Sequence, residues 1–159
     1  EKNAVVHHEK FGTVYAYEID GFGQYNIMDD ANVPSLLSIP FLGYVPAANE
    51  VYQNTRRLIL SDANPYFYKG QAASGIGSPH TPVNHIWPIA LIMQGLTCSE
   101  KAEKKRILEL LLRTDGGTGC MHESFNVDDP HVYTREWFSW ADAFFCTLVL
   151  DSCGLYSAD

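Results

Sequence analysis

Basic charge is scarce in this chain: 11 Lys and Arg stand against 19 Asp and Glu over 159 residues, giving a formal net charge of −8 and a pI near 5.1. Phosphate backbones and anionic lipid surfaces attract basic faces, so neither nucleic acid nor a membrane is an expected partner. No apolar run approaches the roughly 18 residues of a membrane-spanning helix, and no signal-peptide pattern is expected at the N-terminus. The four cysteines, Cys98, Cys120, Cys146 and Cys153, form neither a CxxC pair nor zinc-ribbon spacing. They are expected as buried thiols in a reducing compartment, which favours the cytoplasm, with one disulfide left open. An Asn-x-Ser/Thr acceptor is absent. GK[ST], GxGxxG, HExxH and GxSxG are absent as well, which leaves phosphate loops, zinc peptidases and serine hydrolases without local support.

What is present is ordinary globular material, 46% hydrophobic and sized for one domain, with 13% aromatic residues. Residues 1–10 read as a polar lead-in, starting as if in the middle of a longer protein, and residues 11–159 as a single domain. β-branched and aromatic residues flank Asp20-Gly21-Phe22-Gly23, which predicts a hairpin. Asp29 and Asp30 precede a predicted helix over 33–44, with Asn32 as cap, Pro34 in the first turn and Pro40 kinking or ending it. Carboxylates there suit a helix N-terminus, and they equally suit a site at the end of the hairpin.

A second helix is predicted over 48–61, with Val51, Thr55, Leu58 and Ile59 on its inner face. Residues 62–84 have no periodicity, and a loop of that length in a compact domain is more often functional than idle. IWPIALIMQGL, residues 86–96, is apolar all round and predicts a fully buried helix. Ser99 is expected to cap an amphipathic helix over 100–113 with Ile107, Leu108, Leu111 and Leu112 inward. Thr134 is expected to cap a last helix over 135–152, its apolar face made of Trp137, Ala141, Phe144, Phe145 and Leu148. The expectation is therefore five helices and one hairpin, with the buried and amphipathic helices pairing as in a double-layered helical barrel.

The chain is organised around GGTGCMHESF, residues 116–125, a glycine-rich turn running into His122 and Glu123. Glycoside hydrolysis needs two carboxyl groups, an acid for the leaving oxygen and a base or nucleophile across the ring. Loop carboxylates here are Asp29, Asp30, Glu123, Asp128 and Asp129. Glu123 is best placed, because glycines let the backbone approach substrate while His122 and Phe125 supply a polar and an apolar wall. A polar loop without chemistry, or a metal site of His122, Glu123 and His131, remains open from residue type alone.

MDDANVPSLLSIPFLGY (28–44), NPYFYKGQAASGIGSPHTP (64–82), HIWPIALIMQGLT (85–97) and MHESFNVDDPHVYTREWFSWADAFF (121–145) together resemble the C-terminal part of glycoside hydrolase family 125. That family contains exo-acting α-1,6-mannosidases. The resemblance implies an all-α fold, the C-terminal portion of an (α/α)6 barrel with five or six helices here and a short β-hairpin near the N-terminus. It implies inverting hydrolysis without metal or cofactor, acting on α-1,6-linked mannosides or N-glycan fragments. Glu123 matches the family's general base, while Asp29, Asp30, Asn32, His80, Trp87 and His122 fall in motifs facing the sugar. The family's general acid lies in the preceding half. The chain is therefore expected to be a partial catalytic domain, inactive or nearly so alone and prone to self-association through uncovered apolar helices. A non-catalytic carbohydrate-binding or structural half that pairs with another chain is the alternative, and a different (α/α)6 enzyme acting on α-glucosides a further one.

Overall fold

The computed structural model describes residues 4–156. In chain order the elements are β1 (Val5–His8), β2 (Gly12–Tyr15), β3 (Glu18–Ile19), β4 (Tyr25–Asn26), α1 (Glu50–Ile59), β5 (Phe67–Lys69), β6 (Ser74–Ile76), β7 (His85–Ile86), α2 (Pro88–Leu96), α3 (Lys101–Arg113), β8 (Ser124–Asn126), β9 (Tyr133–Thr134) and α4 (Ser139–Ser152). β1–β2, β3–β4 and β5–β6 are antiparallel pairs, and β7-β8-β9 is a three-stranded antiparallel sheet.

The all-α expectation is corrected by these elements. Four helices and nine short strands in four small sheets make a mixed α and β structure among the described residues, not five or six helices of an all-α barrel. The helix predicted over 33–44 is a series of bends and turns. The Asp29 carboxylate takes the N–H groups of Leu36 and Leu37 at 2.8 and 3.1 Å, and Pro40 has no N–H to continue a helical ladder. The supposed lead-in contributes β1, whose Val5 and Val6 pack on the core; residues 1–3 lie outside the described segment. Within the long irregular stretch Phe67 pairs with Ile76 and Lys69 with Ser74, a hairpin too short to leave a periodic signal.

The helix α2 sits at the centre, with Ile89, Ala90, Leu91, Ile92 and Met93 all nearly inaccessible. Pro88 occupies its first turn, where a missing N–H costs nothing. It packs on α3 and α4. Gly95 permits the α4 contact: a Cβ there would stand 3.0 Å from Leu148 Cδ1. On the other side α1 lies against β2, joined by Tyr15 N–H to Thr55 Oγ1 (2.9 Å) and Asn54 Nδ2 to Thr13 O (3.0 Å). Buried Arg56 reaches from α1 to Glu103 at 2.7 Å, to Thr97 Oγ1 and to the Gln94 carbonyl.

Other local expectations shift in detail. Asn49 caps α1 by accepting the Tyr52 N–H, whereas Ser99 caps nothing and α3 follows Glu100 without a side-chain cap. Leu112 faces outward. Cys146 and Cys153 are exposed and Cys98 and Cys120 half-buried, all four as free thiols, so the expectation of buried cysteines fails. No helix among the described residues is long and apolar enough to cross a membrane.

Candidate active site

Glu123 precedes β8 and is held by the three-stranded sheet. Its N–H donates to Thr134 O at 3.2 Å, one step beyond the Ser124–Thr134 pairing, and Ile86 and Tyr133 flank Phe125 from the two neighbouring strands. The glycine turn before it is closed by Asp115, whose carboxylate accepts the N–H groups of Gly117 and Gly119. Gly116 has φ +61°, and a Cβ there would lie 3.2 Å from His122 Nε2. Met121 N–H donates to Asp142 Oδ1 at 2.9 Å, tying the same turn to α4, while the buried Asp142 Oδ2 has no partner among the described residues.

The Glu123 carboxylate opens into a cleft of 730 Å³ lined by Asn32, His80, Trp87, Arg135, Trp137 and Trp140 together with Phe138 and Ser139. Arg135 Nε stands 3.4 Å from Glu123 Oε1, and the guanidinium lies 5.5 Å from the centre of the Phe138 ring. The Glu123 side chain is 16% exposed and that of Arg135 63%, so the ion pair is open to water and contributes little to stability. Trp87 packs edge-on against Phe138 at 6.1 Å and donates its indole N–H to Thr81 Oγ1 at 2.9 Å. Among the described residues, Glu123 is the carboxylate lining this cleft.

Of the seven residues expected at the site, Asn32, His80, Trp87 and Glu123 come together there. His122 does not line it. Its ring is buried, stacked on Tyr133 at 3.8 Å, with Nδ1 2.6 Å from Glu136 O and Nε2 3.0 Å from Asp115 O. It braces the loop from which Glu123 projects. Asp30 is buried and accepts the Asn32 N–H at 3.3 Å. Asp29 is wholly inaccessible. The other loop carboxylates serve the backbone: Asp128 accepts from Gln71 N–H of a distant loop and Asp129 from His131 N–H within its own turn. Among the described residues no group of three His, Cys, Asp or Glu side chains is arranged to hold a metal ion.

Five lining residues, Arg135, Trp137, Phe138, Ser139 and Trp140, were missed by sequence reasoning. The helix predicted over 135–152 placed Trp137 on an inward face; Thr134 instead lies in β9, Arg135 takes φ +46°, and α4 starts four residues later. Trp137 and Trp140 are thereby left 67% and 63% exposed. The usable signal was the REWFSW cluster, residues 135–140, in the same motif as MHESF.

Burial pushes the Asp29 carboxyl up to about 7, against the opposing pull of the Leu36 and Leu37 N–H donors, and neighbouring Asp30 adds to the rise. A carboxyl raised in the folded state holds its proton more tightly there than when unfolded. Its contribution is therefore fully present below about pH 4 and is lost as pH rises through about 7, a change on the order of 4 kcal/mol. Urea unfolding of the wild type and Asp29→Asn across this window checks the sign. The wild type should lose stability relative to the variant as pH rises, and a relative gain would contradict the shift.

Comparison with known proteins places these features. A family model described as metal-independent alpha-mannosidase (GH125) matches residues 1–150. The meiotically up-regulated gene 157 protein of Schizosaccharomyces pombe is 49% identical over 152 residues, which cover 95% of this chain and 30% of that protein. A solved structure of a metal-independent α-mannosidase from Streptococcus pneumoniae, in a non-productive substrate complex with α-1,6-mannobiose, is 59% identical. It superposes with a TM-score of 0.94 over 96% of this chain and 36% of the other. The chain thus spans about a third of the length of the relatives it matches.

Proposed function

Because the chain belongs to glycoside hydrolase family 125, the metal-independent α-mannosidases, we propose that it forms the base-bearing part of a site that releases terminal mannose from α-1,6-linked mannosides with inversion. The observation that carries this reading is the placement of Glu123, a largely buried carboxylate just before β8 that lines a cleft with three tryptophans. Sugar rings present C–H faces to aromatic planes, and exposed Trp137 and Trp140 offer such planes. Asn32 and His80, in the same lining, supply hydrogen-bonding groups for hydroxyls.

In the reaction the bond between the anomeric carbon and the leaving oxygen breaks while water forms a new bond on the other face. Glu123 takes the water's proton; a carboxylic acid on the leaving side gives its proton to the departing oxygen. Inverting sites separate those two groups by about 6.5–9.5 Å, leaving room for the water. The cleft offers one carboxylate among the described residues, so the acid is assigned to further sequence of a longer protein. Alone, the chain would be nearly inactive, and its exposed tryptophans and leucines would favour self-association.

Proton NMR of mannose release from α-1,6-mannobiose, by the chain extended to the length of its relatives, tests the stereochemistry. The β anomer should accumulate first and mutarotate to the α form. Initial appearance of the α anomer would rule out direct inversion.

A further inference from the structure

The segment that brings Asn32 to the cleft is held from behind by residues that never reach it. The two oxygens of the Asp29 carboxylate each accept one backbone donor, Leu36 N–H at 2.8 Å and Leu37 N–H at 3.1 Å. The Asp29 peptide is gripped from the other side by Asn64, whose Oδ1 accepts the Asp29 N–H at 3.2 Å and whose Nδ2 donates to Asp29 O at 3.3 Å. Asn64 Nδ2 also donates to Ile59 O at 3.1 Å, so this grip is fixed to the end of α1. Tyr52 adds a second tie to α1 by donating its hydroxyl to Leu37 O at 3.0 Å.

From this frame the chain reaches the cleft in three residues. Ala31 N–H donates to Gly77 O at 3.1 Å, and Asp30 Oδ1 accepts the Asn32 N–H. The Gly77 loop continues through Ser78, whose hydroxyl accepts the His80 N–H at 3.2 Å. Asn32 and His80, which line the cleft together, are therefore registered through one set of contacts. Taking a carboxylate fully out of water is expensive. Its return here is geometric: two acceptors on one rigid group set the spacing of two successive N–H donors, which a neutral amide with a single acceptor oxygen cannot do.

We propose that Asp29, backed by Asn64, is a positioning residue for sugar recognition, holding Asn32 in register with His80 on the cleft wall. The inference rests on the assignment of this cleft to an α-mannoside. It gives Asp29 a role in substrate binding without contact, and separates it from the adjacent Asp30.

The test is a double-mutant cycle on the chain extended to the length of its relatives, with α-1,6-mannobiose as substrate and Glu123→Gln run in parallel. Asn32→Ala and Asp29→Asn should each raise KM about tenfold, with kcat moving less, and the double variant should be no worse than the poorer single one, because both remove the same contact. A purely structural Asp29 would lower the melting temperature and leave KM unmoved. Wild-type KM in folded Asp29→Asn, or effects that multiply in the double variant, would overturn the proposal. Should Asp29→Asn fail to fold, the same cycle with Asn64→Ala reads the frame from its other anchor, and multiplying effects there overturn it equally. Full activity in Glu123→Gln would instead overturn the underlying functional reading.

Discussion

Glu123→Gln, introduced into the chain extended to the length of its relatives, is expected to lower kcat by about 10²–10⁴-fold, the usual worth of a positioned general base. Glutamine fills the same volume but cannot take a proton from water. The fold has little reason to notice. Glu123 is held through its backbone N–H to Thr134 O, which the substitution keeps, and its ion pair among the described residues is with the water-exposed Arg135. Stability should stay within about 0.5 kcal/mol of wild type, as for surface substitutions that break no buried network. KM should move less than kcat, since the proton transfer belongs to the transition state while Asn32, His80 and the tryptophans are untouched. Steady-state kinetics and a thermal melt on the same preparation check both halves.

The second large effect concerns the chain by itself. Removing proton donation to the leaving oxygen is expected to leave it about 10²–10⁴-fold slower than the extended protein on α-1,6-mannobiose. The cleft is lined by one carboxylate among the described residues; Asp29 and Asp30 are buried, and Asp128 and Asp129 accept backbone N–H groups away from it. None of these four offers a proton to a sugar bound beside Glu123. Equal turnover by the short and extended chains would show that the acid is already present. An activated substrate whose leaving group needs no protonation should narrow the gap between the two.

How far the sequence reaches depends on which interaction decides each segment. The helix α2 was legible because nothing but burial satisfies an apolar surface on all sides, and α3 because its charged and apolar residues separate by face. Residues 33–44 carry a helical pattern as well. What overrides it is Asp29, a residue outside the segment, whose carboxylate captures two of its N–H groups. Strand pairing decides the start of α4 in the same way: Thr134 reads as a helix cap alone and as a strand residue once Ser124 lies opposite.

The site divides along the same line. Glu123 was legible because a glycine turn and a flanking histidine mark a loop that carries a polar group. His122 was expected to face the sugar; its stacking on Tyr133 and its contacts to two carbonyls, which keep it off the cleft lining, depend on tertiary closure. Trp137 was assigned to a helix face by periodicity, and a helix start delayed to Ser139 leaves it on the cleft wall beside Trp140 of the first turn.

The central claim is that Glu123 activates the water that attacks from the face opposite the leaving group. It is tested most directly by giving Glu123→Ala, in the extended protein, an anionic nucleophile that needs no base. With an activated α-mannoside and azide, turnover should recover and the product should be β-mannosyl azide, identified by NMR. Wild-type hydrolysis without azide, or an α-mannosyl azide product, would contradict the assignment.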